Sequence, residues 1–168
     1  MAKSFFSGMD NEAVEKWAYS IGEKYGVTDQ AGGGAGNTGD AARHIALGWA
    51  AAKADEDLTI PRAKFSVQAR EYLPDSFLRR KDLDRPMDLH NNEIGFRLAQ
   101  MTTSEEDFLE ALDAVMDPNN LLMVQSVDDL PDKLPELKPI FVEPNYRLYK
   151  GGYSASPTPT RLMPPKKK

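Results

Sequence analysis

Two polar runs interrupt otherwise apolar stretches of this chain. One is Asp40-Ala41-Ala42-Arg43-His44, and the other is Asp88-Leu89-His90-Asn91-Asn92-Glu93-Ile94-Gly95. The chain has two histidines, and both lie in these runs. Burying charge and amide groups costs several kcal/mol unless they are paired. Such clusters therefore build either a site or a structural polar network. On a helix, residues three or four apart share a face, with Cβ atoms about 5 to 6 Å apart. Asp40 then lies beside both Arg43 and His44. A carboxylate next to an imidazole fixes its tautomer and raises its basicity, which prepares a general base. By the same spacing Asp88, Asn91 and Asn92 share a face, and His90 points elsewhere, as a surface residue would. An Asn pair inside a helix is unexpected, because Asn competes for backbone hydrogen bonds. It suggests cross-helix bonding or substrate orientation. Glu71, preceded by Arg70, adds a carboxyl that apolar neighbours would push toward its neutral form.

Other chemistries are less supported. His44 and Asp40 lack the His pair or His-Glu motif of zinc enzymes, so no metal centre and no cofactor are expected. No serine sits in a recognisable nucleophile elbow. Glycines 32–34, 36 and 39 form a loop without the Gly-Lys-Ser/Thr that would make it a phosphate cradle. It reads as a connector. An Asp–Arg–His–Asn network can also lock a helical bundle without catalysis. The residues alone leave these two readings open.

The elements that must position these groups are helical. Val14, Trp17, Ala18, Ile21 and Tyr25 recur at one-stripe spacing over residues 10–25. A second helix is expected over 40–54, where Gly48 would let another backbone approach closely. A third runs from Pro61 to before Pro74. A fourth starts at Pro86 and reaches about Gln100. Ser104 and Asp107 form a variant capping box for a fifth, with Phe108, Leu109, Leu112, Val115 and Met116 on one face. Asp117-Pro118-Asn119-Asn120 ends it. Residues 121–127, 140–142 and 146–149 are short extended segments, too few for a sheet-based domain. The fold expected is mainly α: a small bundle of about five helices, residues 1–118, with an extended Pro-rich C-terminal arm, residues 119–168.

Composition bounds the function. The 40% apolar and 28% charged fractions suit one globular domain. A net charge of -5 argues against nucleic-acid binding, except through the basic tail of Arg161 and Lys166-Lys167-Lys168. Without cysteine there is no disulfide, thiolate catalysis or thiolate metal site. No transmembrane segment and no signal peptide are expected. The Pro-rich arm is the expected contact for protein partners.

The segments Asn37-Thr38-Gly39-Asp40-Ala41-Ala42-Arg43-His44 and Met87-Asp88-Leu89-His90-Asn91-Asn92-Glu93-Ile94-Gly95 resemble an uncharacterised helical domain of bacterial polymorphic toxins and phage proteins. Its pattern is Arg-His, then His-Glu, then Asp-Leu-x-Asn-Asn-x-x-Gly. The resemblance covers roughly residues 37–100. This chain departs from it at Arg70-Glu71, where the pattern has His-Glu, and a missing base or ligand there would alter activity. The resemblance implies a hydrolase acting on a polymer such as the cell wall. With no signal peptide expected, the location expected is the virion or secretion by a specialised route, and otherwise the cytoplasm.

Together these readings give Asp40, His44, Glu71 and Asp88 as candidate catalytic residues. Arg43, Arg70, Asn91 and Asn92 are the candidates for substrate binding. The alternative is a non-catalytic virion protein that binds neighbours through its arm.

Overall fold

A computed structural model describes residues 11–26, 37–53 and 81–141. It is mainly helical. Helix α1 spans Asn11–Gly22, α2 Thr38–Lys53, α3 Lys81–Met101 and α4 Glu105–Val115. The expected helix from Pro61, the glycine loop over 32–36 and the arm beyond Phe141 lie outside the described residues.

The apolar stripes of α1 and α4 meet as their spacing requires. Ala18, Ile21 and Tyr25 from the first segment join Phe108, Leu112, Val115 and Met116 from the second in one buried cluster. Val14, Trp17 and Leu109 pack against its edge. Trp49 of α2 lies at the centre, stacked on Phe108 with ring centroids 4.4 Å apart. Its indole N–H donates to Thr102 Oγ1 at 2.8 Å, so the one polar atom of the ring is satisfied in the core. The Trp17 indole donates to Glu105 Oε1 at 2.8 Å, and the Tyr25 hydroxyl donates to Asp113. These bonds tie the first helical segment to α4.

The capping box of α4 is present. The backbone N–H of Asp107 donates to Ser104 Oγ, and that of Ser104 donates to Asp107 Oδ2, both at 3.1 Å. Such caps contribute about 1 kcal/mol each.

Helix starts differ from the sequence expectation in two places. Helix α2 begins at Thr38 rather than Asp40, because the Asn37 side chain accepts the Asp40 N–H at 3.0 Å. Asn37 is the cap, and Asp40 sits in the first turn, where the helix dipole favours its charge. Helix α3 begins at Lys81, five residues before Pro86. Proline deprives the helix only of the hydrogen bond to the carbonyl of residue 82, in its opening turns.

Helices α2 and α3 pack along two glycines. A Cβ on Gly48 would collide with the Asn92 carbonyl oxygen, and one on Gly95 with that of Ile45. Only hydrogen at these positions permits this approach. The close crossing sets the polar run of α2 against that of α3.

The remaining described chain is irregular, with two short strands. Strand β1, Leu122–Met123, pairs in parallel with β2, Ile140–Phe141. They pack on the helices through a second cluster of Met87, Val124 and Ile140. Among the described residues, no helix is long and apolar enough to cross a membrane.

Candidate functional site

His44 on α2 is the hub. It is 4% exposed, and Asp40 is 7% exposed. Arg43 Nε and Nη2 donate to Asp40 Oδ1 at 2.8 and 2.6 Å. The same Nη2 lies 2.6 Å from His44 Nε2. The Asp40–Arg43 bonds follow from three-residue spacing on one helix, whereas Arg43 and His44 are sequence neighbours that meet because the long Arg43 side chain folds back. From the facing helix, Asp88 Oδ1 comes within 3.2 Å of His44 Nε2. Asn92 Oδ1 lies 3.2 Å from His44 Nδ1. Asp88 and Asn92 are one turn apart on α3, so they bracket the imidazole, one on each ring nitrogen. Asp40 Oδ1 is 3.8 Å from Nε2.

The Arg43 guanidinium lies over the Tyr19 ring, 5.0 Å from its centroid. Burial alone would lower its pKa. The charge and hydrogen bonds of Asp40, with Tyr19 and Asp88 behind them, hold it above its ordinary value instead. Arg43 is therefore a fixed positive charge between the two helices.

The structure divides the predicted α3 face. Asp88 and Asn92 turn toward His44, but Asn91 turns to the irregular segment. Its Nδ2 donates to the Ile140 carbonyl at 2.9 Å, and its Oδ1 accepts the Ile140 N–H at 3.0 Å. A side-chain amide here pairs with the backbone of β2 as a neighbouring strand would. Cross-helix placement of both asparagines on one substrate face is not what forms; the two amides serve opposite sides of α3.

His90 is not a surface residue, contrary to the sequence reading. It is half-buried, and its Nε2 donates to the Lys138 carbonyl at 2.8 Å. Burial pushes its pKa down, and nearby Arg97 adds to this, against the opposing effects of that carbonyl and Glu93. Arg97 Nη1 pairs with Glu136 Oε2 at 2.9 Å. His90, Asn91 and Arg97 together fasten residues 136–140 to α3.

Of the predicted site residues, Asp40, Arg43, His44, Asp88 and Asn92 converge. Arg70 and Glu71 lie outside the described residues. Sequence reasoning missed the cap at Asn37 and the aromatic seat at Tyr19. The Asn-x-x-Asp spacing before an alanine-rich run carried the first; nothing in the sequence pointed to the second. Distances across helices, such as Asp88 to His44, have no signature in spacing.

The pattern of the family described as the domain of unknown function DUF6973 matches residues 1–120. The chain belongs to this family. The DUF6973 match takes in all four described helices and every member of the cluster around His44. No curated protein and no solved structure matches the chain.

Proposed function

We propose that this DUF6973 protein is a phage- or effector-associated hydrolase whose reacting centre is built on His44. The observation that carries the reading is the bracketing of one imidazole by groups from two helices. Asp88 Oδ1 stands 3.2 Å from Nε2, and Asn92 Oδ1 stands 3.2 Å from Nδ1. Asn92 Oδ1 can only accept, so it places the proton on Nδ1 and leaves Nε2 as the base beside Asp88. Asp40 orients the Arg43 guanidinium, a donor suited to a polar or anionic substrate group. Glu71 is the proposed acid partner and Arg70 a second substrate contact. A cell-wall polymer is the proposed substrate class.

The test is hydrolysis of peptidoglycan and of lipid substrates by the parent, His44→Ala and Asp88→Ala. Loss of roughly a hundredfold or more in both variants is expected for a base and its orienting group. Folded variants as active as the parent would remove His44 from the reaction.

A second reading is favoured by the burial of Asp40 and His44. The cluster is then a lock between α2 and α3 in a non-catalytic virion component, which binds neighbours through its Pro-rich arm. Deleting residues 154–168 should abolish assembly while the helices stay folded. An unchanged complex after deletion would refute this reading.

A further inference from the structure

Arg43 commits one edge of its guanidinium to Asp40. Nε and Nη2 both donate to Asp40 Oδ1, at 2.8 and 2.6 Å. Nη2 carries a second hydrogen, and His44 Nε2 lies 2.6 Å from that nitrogen. A guanidinium only donates, so Nε2 accepts there. The opposite ring nitrogen agrees. Nδ1 lies 3.2 Å from Asn92 Oδ1, and an amide oxygen only accepts. The imidazole therefore carries its proton on Nδ1, and Arg43 covers the lone pair of Nε2.

That lone pair is the one a base at His44 would use. A proton arriving at Nε2 would break the bond from Nη2 and meet the guanidinium charge at 2.6 Å, where like charges repel. The carboxylates act the other way. Asp88 Oδ1 at 3.2 Å and Asp40 Oδ1 at 3.8 Å both favour a positive charge on Nε2. Arg43 is the group that holds the base back.

The shape of the guanidinium says what could release it. Its plane has two edges that each offer a pair of parallel N–H bonds to an oxyanion, Nε with Nη2 and Nη1 with Nη2. Asp40 holds the first. The second is made of Nη1 and the Nη2 hydrogen that points at His44. Among the described residues, the hydrogen bonds of Arg43 run from Nε and Nη2 and none from Nη1. Tyr19 of α1 covers a face of the plane, 5.0 Å from its ring centroid, and stacking of this kind leaves the edges open. The Arg43 side chain is 18% exposed against 5% for His44, so a ligand meets the guanidinium before it meets the imidazole.

We infer that Arg43 is a substrate-operated cap on His44: a carboxylate or phosphate group that binds the Nη1–Nη2 edge takes the Nη2 hydrogen and uncovers Nε2. Gripping the oxyanion and capping the base exclude each other, because both need the same hydrogen. Asp40 keeps its bond from Nε, so the charge stays on its Tyr19 seat while the fork changes partner. The inference rests on the hydrolase reading and deepens it, since it places an anionic group on the substrate beside the base.

The test reads the imidazole rather than turnover. The full chain, labelled with 15N-histidine, is followed by NMR at about pH 8, where an ordinary imidazole is neutral. Sodium acetate, and separately sodium phosphate, replaces sodium chloride at constant ionic strength. At roughly 100 mM, well above the millimolar Kd of a weak ligand, at least one of them should move His44 Nε2 saturably. The direction expected is that of a nitrogen losing a hydrogen bond, with Nδ1 keeping its proton and His90 unmoved. A response to acetate alone assigns a carboxylate, and a response to phosphate alone assigns a phosphate. Arg43→Lys keeps the charge and lacks the fork, so its Nε2 should respond at least tenfold more weakly. An Nε2 unmoved by both anions, or one that moves equally in the parent and Arg43→Lys, overturns the inference. So does a parent spectrum with the proton on Nε2 before either anion is added, a result that needs no variant to fold. A responsive Nε2 in a chain that hydrolyses nothing would sink the hydrolase and keep the cap. Hydrolysis by a chain whose Nε2 ignores both anions would do the reverse.

Discussion

The carbonyl oxygen of Ile45 occupies the space that a Cβ on Gly95 would need. One turn along α2, Gly48 stands in the same relation to the Asn92 carbonyl. These two contacts set how closely α2 and α3 approach, and so how near Asp88 comes to His44. Gly95→Ala must push the helices apart, because the atoms it would meet, on Ile45, Gly48 and Trp49, are all backbone. Overpacking of this kind costs typically 1 to 3 kcal/mol, more than the approximately 1 kcal/mol that Ala gains over Gly in a helix. A lower urea midpoint is expected, together with loss of any activity assigned to His44. A midpoint at or above the parent's would show that the crossing is not fixed by Gly95.

Asn91 supplies both hydrogen-bonding partners of the Ile140 backbone on its side of α3. Asn91→Ala leaves that N–H and carbonyl buried without their partner. The expected loss is about 2 kcal/mol or more. Asn91→Asp should recover only part of it, since it retains the acceptor for the Ile140 N–H and loses the donor. Equal stability of parent and Asn91→Ala in urea would mean that residues 136–141 are held by their other contacts, His90 to Lys138, Arg97 to Glu136 and the packing of Met87, Val124 and Ile140.

What the residues revealed in advance follows from the range of each interaction. The stripes of α1 and α4, the Ser104–Asp107 box and the close approach at Gly48 are local or periodic, and spacing carries them. Asp40, Arg43 and His44 were legible as one group because a single helix places them. The start of α3 was not, because Pro86 favours a first-turn position, yet the helix begins five residues before it. The parting of Asn91 from Asn92 depends on a segment some fifty residues away, as does the burial of His90. Asp88 meets His44 across two helices, and no spacing rule reaches across that gap.

Asp107 supplies an acid limb to stability. Hydrogen bonds from the Thr103 hydroxyl and backbone, and then from Ser104, hold its carboxyl below the ordinary value of 3.8. A carboxylate with a depressed folded-state pKa stabilises fully above its unfolded value. That contribution is lost as pH falls through the unfolded value and then the folded one. The parent should therefore lose thermal stability below about pH 4 more steeply than Asp107→Asn, which has no charge to lose there. Parallel thermal midpoints of the two proteins between neutral pH and pH 3 would show that the box does not depend on the carboxylate's charge.

His44 and Asp88 belong to one network, so their removal must be non-additive. Asp88→Ala takes a carboxylate away from the imidazole Nε2, and His44→Ala leaves Asp88 beside a cavity. Either single change breaks the cluster; the second then removes a group already deprived of its partner. Groups in contact commonly couple by 0.5 to 3 kcal/mol, whereas distant pairs add within about 0.3 to 0.5 kcal/mol. A double-mutant cycle in urea should give a coupling of about 1 kcal/mol or more for this pair. The cycle of His44→Ala with His90→Ala is the control, since His90 bonds to Lys138 on the other side of α3. Equal coupling in both cycles would mean that the 3.2 Å approach of Asp88 to Nε2 carries no energy of its own. The cluster would then be two neighbouring sets of contacts rather than one centre.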